Sequence, residues 1–375
     1  MDPRERFMET LRFGSPDRIP FSPGGPRQST LAAWHGQGLS EGADWFATLC
    51  AEIGVESERP AAAPVDHGVS FRMIPEFEEK VLEHRDGHYV VQDWKGNVCE
   101  ISDEFDTRYL RDAIDFVTRR WLRLPVETRA DWEDMQRRYD PSETQRFPED
   151  FADRCRRLRE RDYVVRVGFP GPFWQLREWV GFERLCIMFI DDPEFVREMV
   201  AFWEAFVSRT MAPLLEAGVV DWLHVSEDMA YKEKSMISPA MARQFLLPTW
   251  ARWATEARQA GVPVIDVDSD GRVDELIPLW IEAGVNTCDP MEVAAGNDLP
   301  ALRRVHGRRM AYRMGIDKRA IAKGGDVIAA ELDRLEPVIR DGGYIPGCDH
   351  GVPPDISWPC FIGYARRLAE LTGWL

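Results

Sequence analysis

Apolar and polar positions change their period along this chain. From Tyr163 onward, short runs dense in Val, Ile and Tyr alternate with stretches where apolar residues recur every three or four positions. The runs YVVRVG (163–168), VDWLHV (220–225), VPVIDV (262–267), VNTC (285–288), RMAYRM (309–314) and GYIPG (343–347) predict strands. The stretches from Phe173 to Gly218 and over 238–260, 273–283, 299–305, 326–340 and 356–372 predict helices. Strands alternating with helices mean βα units and a parallel sheet. Residues 18–22 and 50–56 supply two further strands, which brings the count to that of a (β/α)8 TIM barrel. No GxGxxG follows any of them. The expected fold class is α/β, a single barrel domain over 1–375.

The N-terminal third is less regular. Residues 3–13 predict a short helix, PDRIPFSPGG a turn, a brief strand and a Gly/Pro-rich loop, and Thr30–His35 a second helix. Over 77–99, two β-type runs flank Arg85-Asp86-Gly87, with another turn at Lys95-Gly96-Asn97. That is hairpin chemistry, an excursion inserted in the barrel. Arg119-Arg120, Arg137-Arg138 and the RCRRLRER run at 154–161 read as solvated helix faces.

Charge narrows the function. The chain has 375 residues, and 47 Lys plus Arg against 64 Asp plus Glu give a net charge of −17. Nucleic acid and anionic membrane are poor partners for such a field, and a small molecule is the expected one. With no long apolar segment and no signal-peptide pattern at the start, a cytoplasmic protein is expected. The seven Cys are scattered without CxxC spacing, which suggests neither a disulfide framework nor a zinc ribbon. The 14 Trp fit either an aromatic-lined pocket or large rings in core and interface.

In a βα barrel the reacting groups sit beyond the carboxyl ends of the strands. Four successive strand ends carry Ser226-Glu227-Asp228, Asp266-Val267-Asp268-Ser269-Asp270-Gly271, Gly315-Ile316-Asp317-Lys318-Arg319 and Cys348-Asp349-His350. A period of two puts Asp266, Asp268 and Asp270 on one face while the strand lasts. Three acids so placed require a cation, a donor-rich ligand, basic neighbours or a raised pKa. The D-x-D-x-D-G text opens like an EF-hand loop, but the twelfth position is Ile277. A plain reading, an Asp-rich cap opening a helix at Arg272, explains one Asp and leaves two. Asp266 should lie deeper than Asp268 and need a partner.

MGIDKRAIAKG (314–324) followed by GGYIPGCDHGVPPDISW (342–358) resembles the C-terminal signature of the uroporphyrinogen decarboxylase superfamily. SEDMAYKEKSMISPAMARQFLLPTW (226–250), and RFGSPDRIPF (12–21) with Trp34, Gly38 and Leu39, resemble earlier parts of the same superfamily. The resemblance implies a (β/α)8 barrel and a homodimer. True uroporphyrinogen decarboxylases carry a PxWxMRQAGR-type stretch, where this chain has PFSPGGPRQST, with only Arg27 and Gln28 reminiscent. The chain is closer to the corrinoid-dependent methyltransferases, which bind zinc through His-x-Cys and a later Cys. Laid on this sequence, those ligands become Asp268, Asp270 and Cys348, with Glu227 as a further candidate. Two carboxylates make a harder site than zinc thiolates, which argues against a thiol acceptor.

The expected function is a corrinoid-dependent type of methyltransferase acting on a small methylated compound. Zinc or another divalent metal would sit at the barrel mouth, and a partner protein would supply the corrinoid. His350, Asp228 and Asp317 are the candidate acid–base groups, and Arg27, Trp34, Trp174 and Arg319 the candidate substrate contacts. The alternatives are a metal-independent decarboxylase or lyase of a small acid, with Arg27 or Arg319 holding the carboxylate, and a non-catalytic ligand-binding barrel.

Overall fold

The computed structural model describes residues 1–58, 67–105, 110–111 and 117–375. The chain forms two compact units. Met1–His67, Ala152–Phe169 and Leu214–Leu375 make the first, and Gly68–Phe151 with Pro170–Pro213 the second. In chain order the helices of the N-terminal segment are α1 (Pro3–Leu11), α2 (Gln28–His35) and α3 (Trp45–Ile53). The strands are β1 (Lys80–Arg85), β2 (His88–Gln92), β3 (Val98–Ser102), β4 (Arg120–Arg123), β5 (Arg166–Pro170), β6 (Trp222–Ser226), β7 (Val264–Asp268), β8 (Thr287–Asp289), β9 (Ala311–Ile316) and β10 (Tyr344–Cys348). No described helix is long and apolar enough to cross a membrane.

The first unit is built on a six-stranded sheet in the order β10-β9-β8-β7-β6-β5, parallel wherever its register is defined. All six strands expected after Tyr163 are present, each reaching one or two residues further toward its carboxyl end than the apolar run. The two additional strands are not. Residues 50–56 begin in α3, where Asp44 caps the first turn and Gly54, at φ 81°, ends the last. Residues 18–22 belong to no strand. Pro20, Pro23 and Pro26 remove donors from this segment, which still runs beside the end of β10 through Cys348 N–H to the Pro23 carbonyl (3.2 Å) and Val352 N–H to that of Gly25 (2.9 Å).

The sheet register places side chains in layers. Trp222 pairs with Val264, His224 with Asp266, Ser226 with Asp268, and Asp268 with Asp289. Val164, Trp222, Val264, Ala311 and Ile345 meet Phe7 and Leu11 of α1 in one buried cluster. This is the apolar floor of the site. α1 is fixed there by a capping box between Asp2 and Glu5, and by Arg4 on Asp221 (2.9 and 3.0 Å). Asp221 is 2% exposed, and Arg161, 4% exposed, also pairs with it at 2.7 Å. Arg161 therefore leaves the solvated face expected for the 154–161 run.

In the second unit β1 to β4 form an antiparallel four-stranded sheet. Asp86 (φ 50°) and Gly87 (φ 74°) make the two-residue turn between β1 and β2. The excursion is thus larger than the expected hairpin over 77–99. Arg119 immediately precedes the exposed strand β4 and Arg120 opens it, so this pair is not on a helix. The packed core is aromatic: Trp132 lies 5.0 Å from Trp179, and Tyr139 5.3 Å from Trp203.

Candidate active site at the carboxyl ends of the strands

Two residues beyond the apolar floor on the same face, the strands turn polar. Arg166 of β5, His224 of β6, Asp266 of β7, Asp289 of β8 and Arg313 of β9 make this layer. His224 Nδ1 lies 2.6 Å from Asp266 Oδ2, and Arg313 donates to Asp289 Oδ2 at 2.7 Å. His224 Nε2 faces Ser226 Oγ at 3.3 Å and Asp268 Oδ2 at 4.0 Å. Asp266 is fully buried and Asp268 is 35% exposed, the expected order of depth. Gly168, one step above Arg166 on β5, is exposed, and a Cβ there would stand 3.4 Å from the His224 ring. The layer thus opens upward to solvent.

Burial pushes His224 down to about 4, so it is a neutral imidazole that donates Nδ1–H to Asp266 and keeps a lone pair on Nε2. Burial pushes Asp266 up to about 6, opposed by Arg313 and Arg166. Asp289 also rises to about 6, through burial and then the charge of Asp266. Asp268 is raised well above the ordinary range by burial, with Asp289 and Asp266 beside it. The layer carries more carboxylate than its cations balance.

At the rim Asp270 is 43% exposed, 3.5 Å from His350 Nδ1, and pushed up to about 7 by burial and by Asp228 and Glu292. Gly271 adopts φ +82° with no room for a side chain, since a Cβ would meet the Ala230 carbonyl carbon at 2.5 Å. Asp228, at φ 39°, is strained where β6 ends and donates its N–H to the Asp268 carbonyl at 3.2 Å.

The other expected site residues are placed differently. Glu227 is buried and accepts the Trp250 indole N–H at 2.5 Å. Cys348 is buried, and burial pushes its thiol up to about 12. Asp317 caps the following helix and is held bidentately by Arg319, itself 57% exposed, so these two charges satisfy each other. Trp34 is a core ring, with its indole N–H on the Ile356 carbonyl (2.8 Å) and Trp358 4.8 Å away. Arg27 opens α2 beside Gly351. Trp174 belongs to the second unit, with Arg177 4.2 Å over its ring. Eight Trp are among the largest fully buried side chains, which assigns most of the tryptophan to cores.

Among the described residues, His224, Asp266 and Asp289 present ligand atoms within 4.8 Å of one another. Asp268, Asp270, Cys348 and Glu227 are not in this group. A divalent cation fits this donor set. The Oδ1 atoms of Asp266 and Asp289 are buried without a hydrogen-bond partner, and an imidazole with two carboxylates suits a moderately hard ion. His224, Asp289 and Arg313 escaped the sequence reading, although each is polar at an inward position of an apolar strand.

No family model and no curated protein matches this sequence. Among solved structures, the chain is similar to a methyltransferase from Methanosarcina mazei, with a TM-score of 0.56 and 13% identity over 98% of each chain. A B12-independent methionine synthase from Shewanella sp. W3-18-1 matches at a TM-score of 0.39 and 12% identity, over 61% of this chain and 67% of that one. The first is a likeness of fold.

Proposed function

We propose that this protein is a methyltransferase of the corrinoid-dependent type, demethylating a small methylated compound at the carboxyl ends of β5 to β9 in a (β/α)8 framework. The observation that carries this reading is the His224, Asp266 and Asp289 group, with its unfilled carboxylate oxygens, in a fold similar to that of a methyltransferase. These three side chains would hold zinc or another divalent ion, whose Lewis acidity would supply polarisation of the heteroatom bearing the methyl group. The protein's own contribution is positional. Arg313 keeps Asp289 oriented, and the Trp222 floor keeps water from below. His350 and Asp270, 3.5 Å apart at the rim, supply or remove a proton. A separate corrinoid protein as methyl carrier, a cytoplasmic location and a homodimeric state complete the proposal.

The test uses untagged protein. Metal analysis is expected to find zinc at about one per chain, and methoxy compounds are expected to methylate free cob(I)alamin. His224→Gln should lose zinc by more than the roughly 10–100-fold that removing an outer partner causes. A wild-type chain that takes up no divalent ion, and that releases CO2 from a small acid without methyl transfer, would establish the metal-independent decarboxylase instead.

A further inference from the structure

Two guanidiniums in the polar layer have donors without acceptors. Arg313 spends Nη1 on Asp289, while its Nε is buried without a partner. Arg166 is half-buried and, among the described residues, makes no hydrogen bond or ion pair. Both lie over the same ring, their guanidinium carbons 4.2 Å (Arg313) and 5.2 Å (Arg166) from the centre of Trp222. Desolvation and the like charge of Arg313 disfavour the charged form of Arg166, against the longer-range pull of Asp266, Asp289 and Asp268. A protein that needed only a counter-ion for Asp266 and Asp289 would draw Arg166 into contact with one of them. Here the guanidinium makes no such contact, and Gly168, the next residue on the same face of β5, is exposed.

We infer that Arg166, with Arg313 behind it, is a receptor for an anionic group, and that the small molecule this site takes carries a carboxylate. The planar fork of a guanidinium matches a carboxylate bidentately, and the Trp222 face supports the cation from below. Charge is consistent with this. A divalent ion added to Arg166 and Arg313 outweighs Asp266, Asp268 and Asp289, so a filled layer favours an incoming anion. The inference deepens the proposed function, because it assigns the methylated substrate to methylated carboxylic acids.

The experiment measures binding to the full-length protein by calorimetry, with and without added zinc. Its probes are 4-methoxybenzoate and methoxyacetate, each against its primary amide. At least one acid should bind, and its amide about tenfold or more weakly. Arg166→Gln should erase that preference, and Arg166→Lys should keep only part of it. Gly168→Val retains every charge and fills the space above Arg166, so it should weaken the acid whether or not Arg166→Gln folds. Equal binding of acid and amide, no binding of either acid, or an Arg166→Gln protein that binds the acid like wild type would overturn the inference. Methyl transfer to cob(I)alamin is measured separately. Acid binding without transfer would reject the methyltransferase and leave the anion receptor standing.

Discussion

Burial, with Asp228 and Glu292 nearby, pushes the Asp270 carboxyl up to about 7. A carboxyl raised on folding keeps its proton where the unfolded chain has lost it. Native stability therefore falls as pH rises from the unfolded value toward 7, and the loss is complete above that. Asp270→Asn has no such proton, so its stability relative to wild type should rise between about pH 5 and about pH 8. Because Asp270 is 43% exposed, solvent screening reduces the expected gain to about 1 kcal/mol, readable in thermal melts at the two pH values. Parallel pH dependence in the two proteins would show a carboxyl of ordinary acidity. The Asp-x-Asp-x-Asp run was legible because alternation within a strand places Asp266 and Asp268 on one face. The same alternation in VDWLHV and RMAYRM puts His224 and Arg313 inward, but each is a lone polar residue in an apolar strand. Only the register across neighbouring strands reveals that they meet.

Single side chains hold the elements that shape this site. Asp221 accepts from Arg4, Arg161 and the Val165 N–H just before β5, tying α1 to the sheet. Asp221→Ala leaves Arg161, 4% exposed, without its carboxylate, and should destabilise the protein by about 3 kcal/mol in denaturant unfolding. A change below about 1 kcal/mol would mean that water reaches that charge. Gly271→Ala forces a Cβ into the Ala230 backbone at positive φ, and should lower stability by at least about 2 kcal/mol. The six alternating strands were readable because each is a short apolar run between helices. The segments 18–22 and 50–56 misled for two different reasons. Prolines deny the first a ladder, and the Asp44 cap commits the second to helix. In the second unit the Asp86-Gly87 turn was legible from its residue types, whereas the distant pairing of β3 with β4 has no local signature.

At the scale of the whole molecule, a net charge of −17 opposes the approach of an anion that the Arg166 layer would bind. Raising salt should therefore speed association of 4-methoxybenzoate, by screening the long-range repulsion, more than it speeds association of the amide. Equal salt response of the two on-rates in stopped flow would remove that long-range field from the account. The proposed homodimer has an apolar surface to draw on, with Ile187 58% and Ile190 75% exposed on the helix Phe182–Asp191. Sedimentation at micromolar concentration should find a dimer that Ile190→Asp weakens, and a wild-type monomer would reject the assembly. The floor of the site has a temporal consequence. It joins Phe7 and Leu11 to Ile345, which follows them by more than three hundred residues. A chain emerging from the ribosome cannot close this floor until β10 has left the exit tunnel, so α1 waits for the last of its apolar partners while every strand before β10 is made. Contacts of such long sequence separation form slowly. Deleting the segment that carries β10 should therefore leave α1 open to proteases in a stalled nascent chain, and its protection would mark the moment the site comes into being.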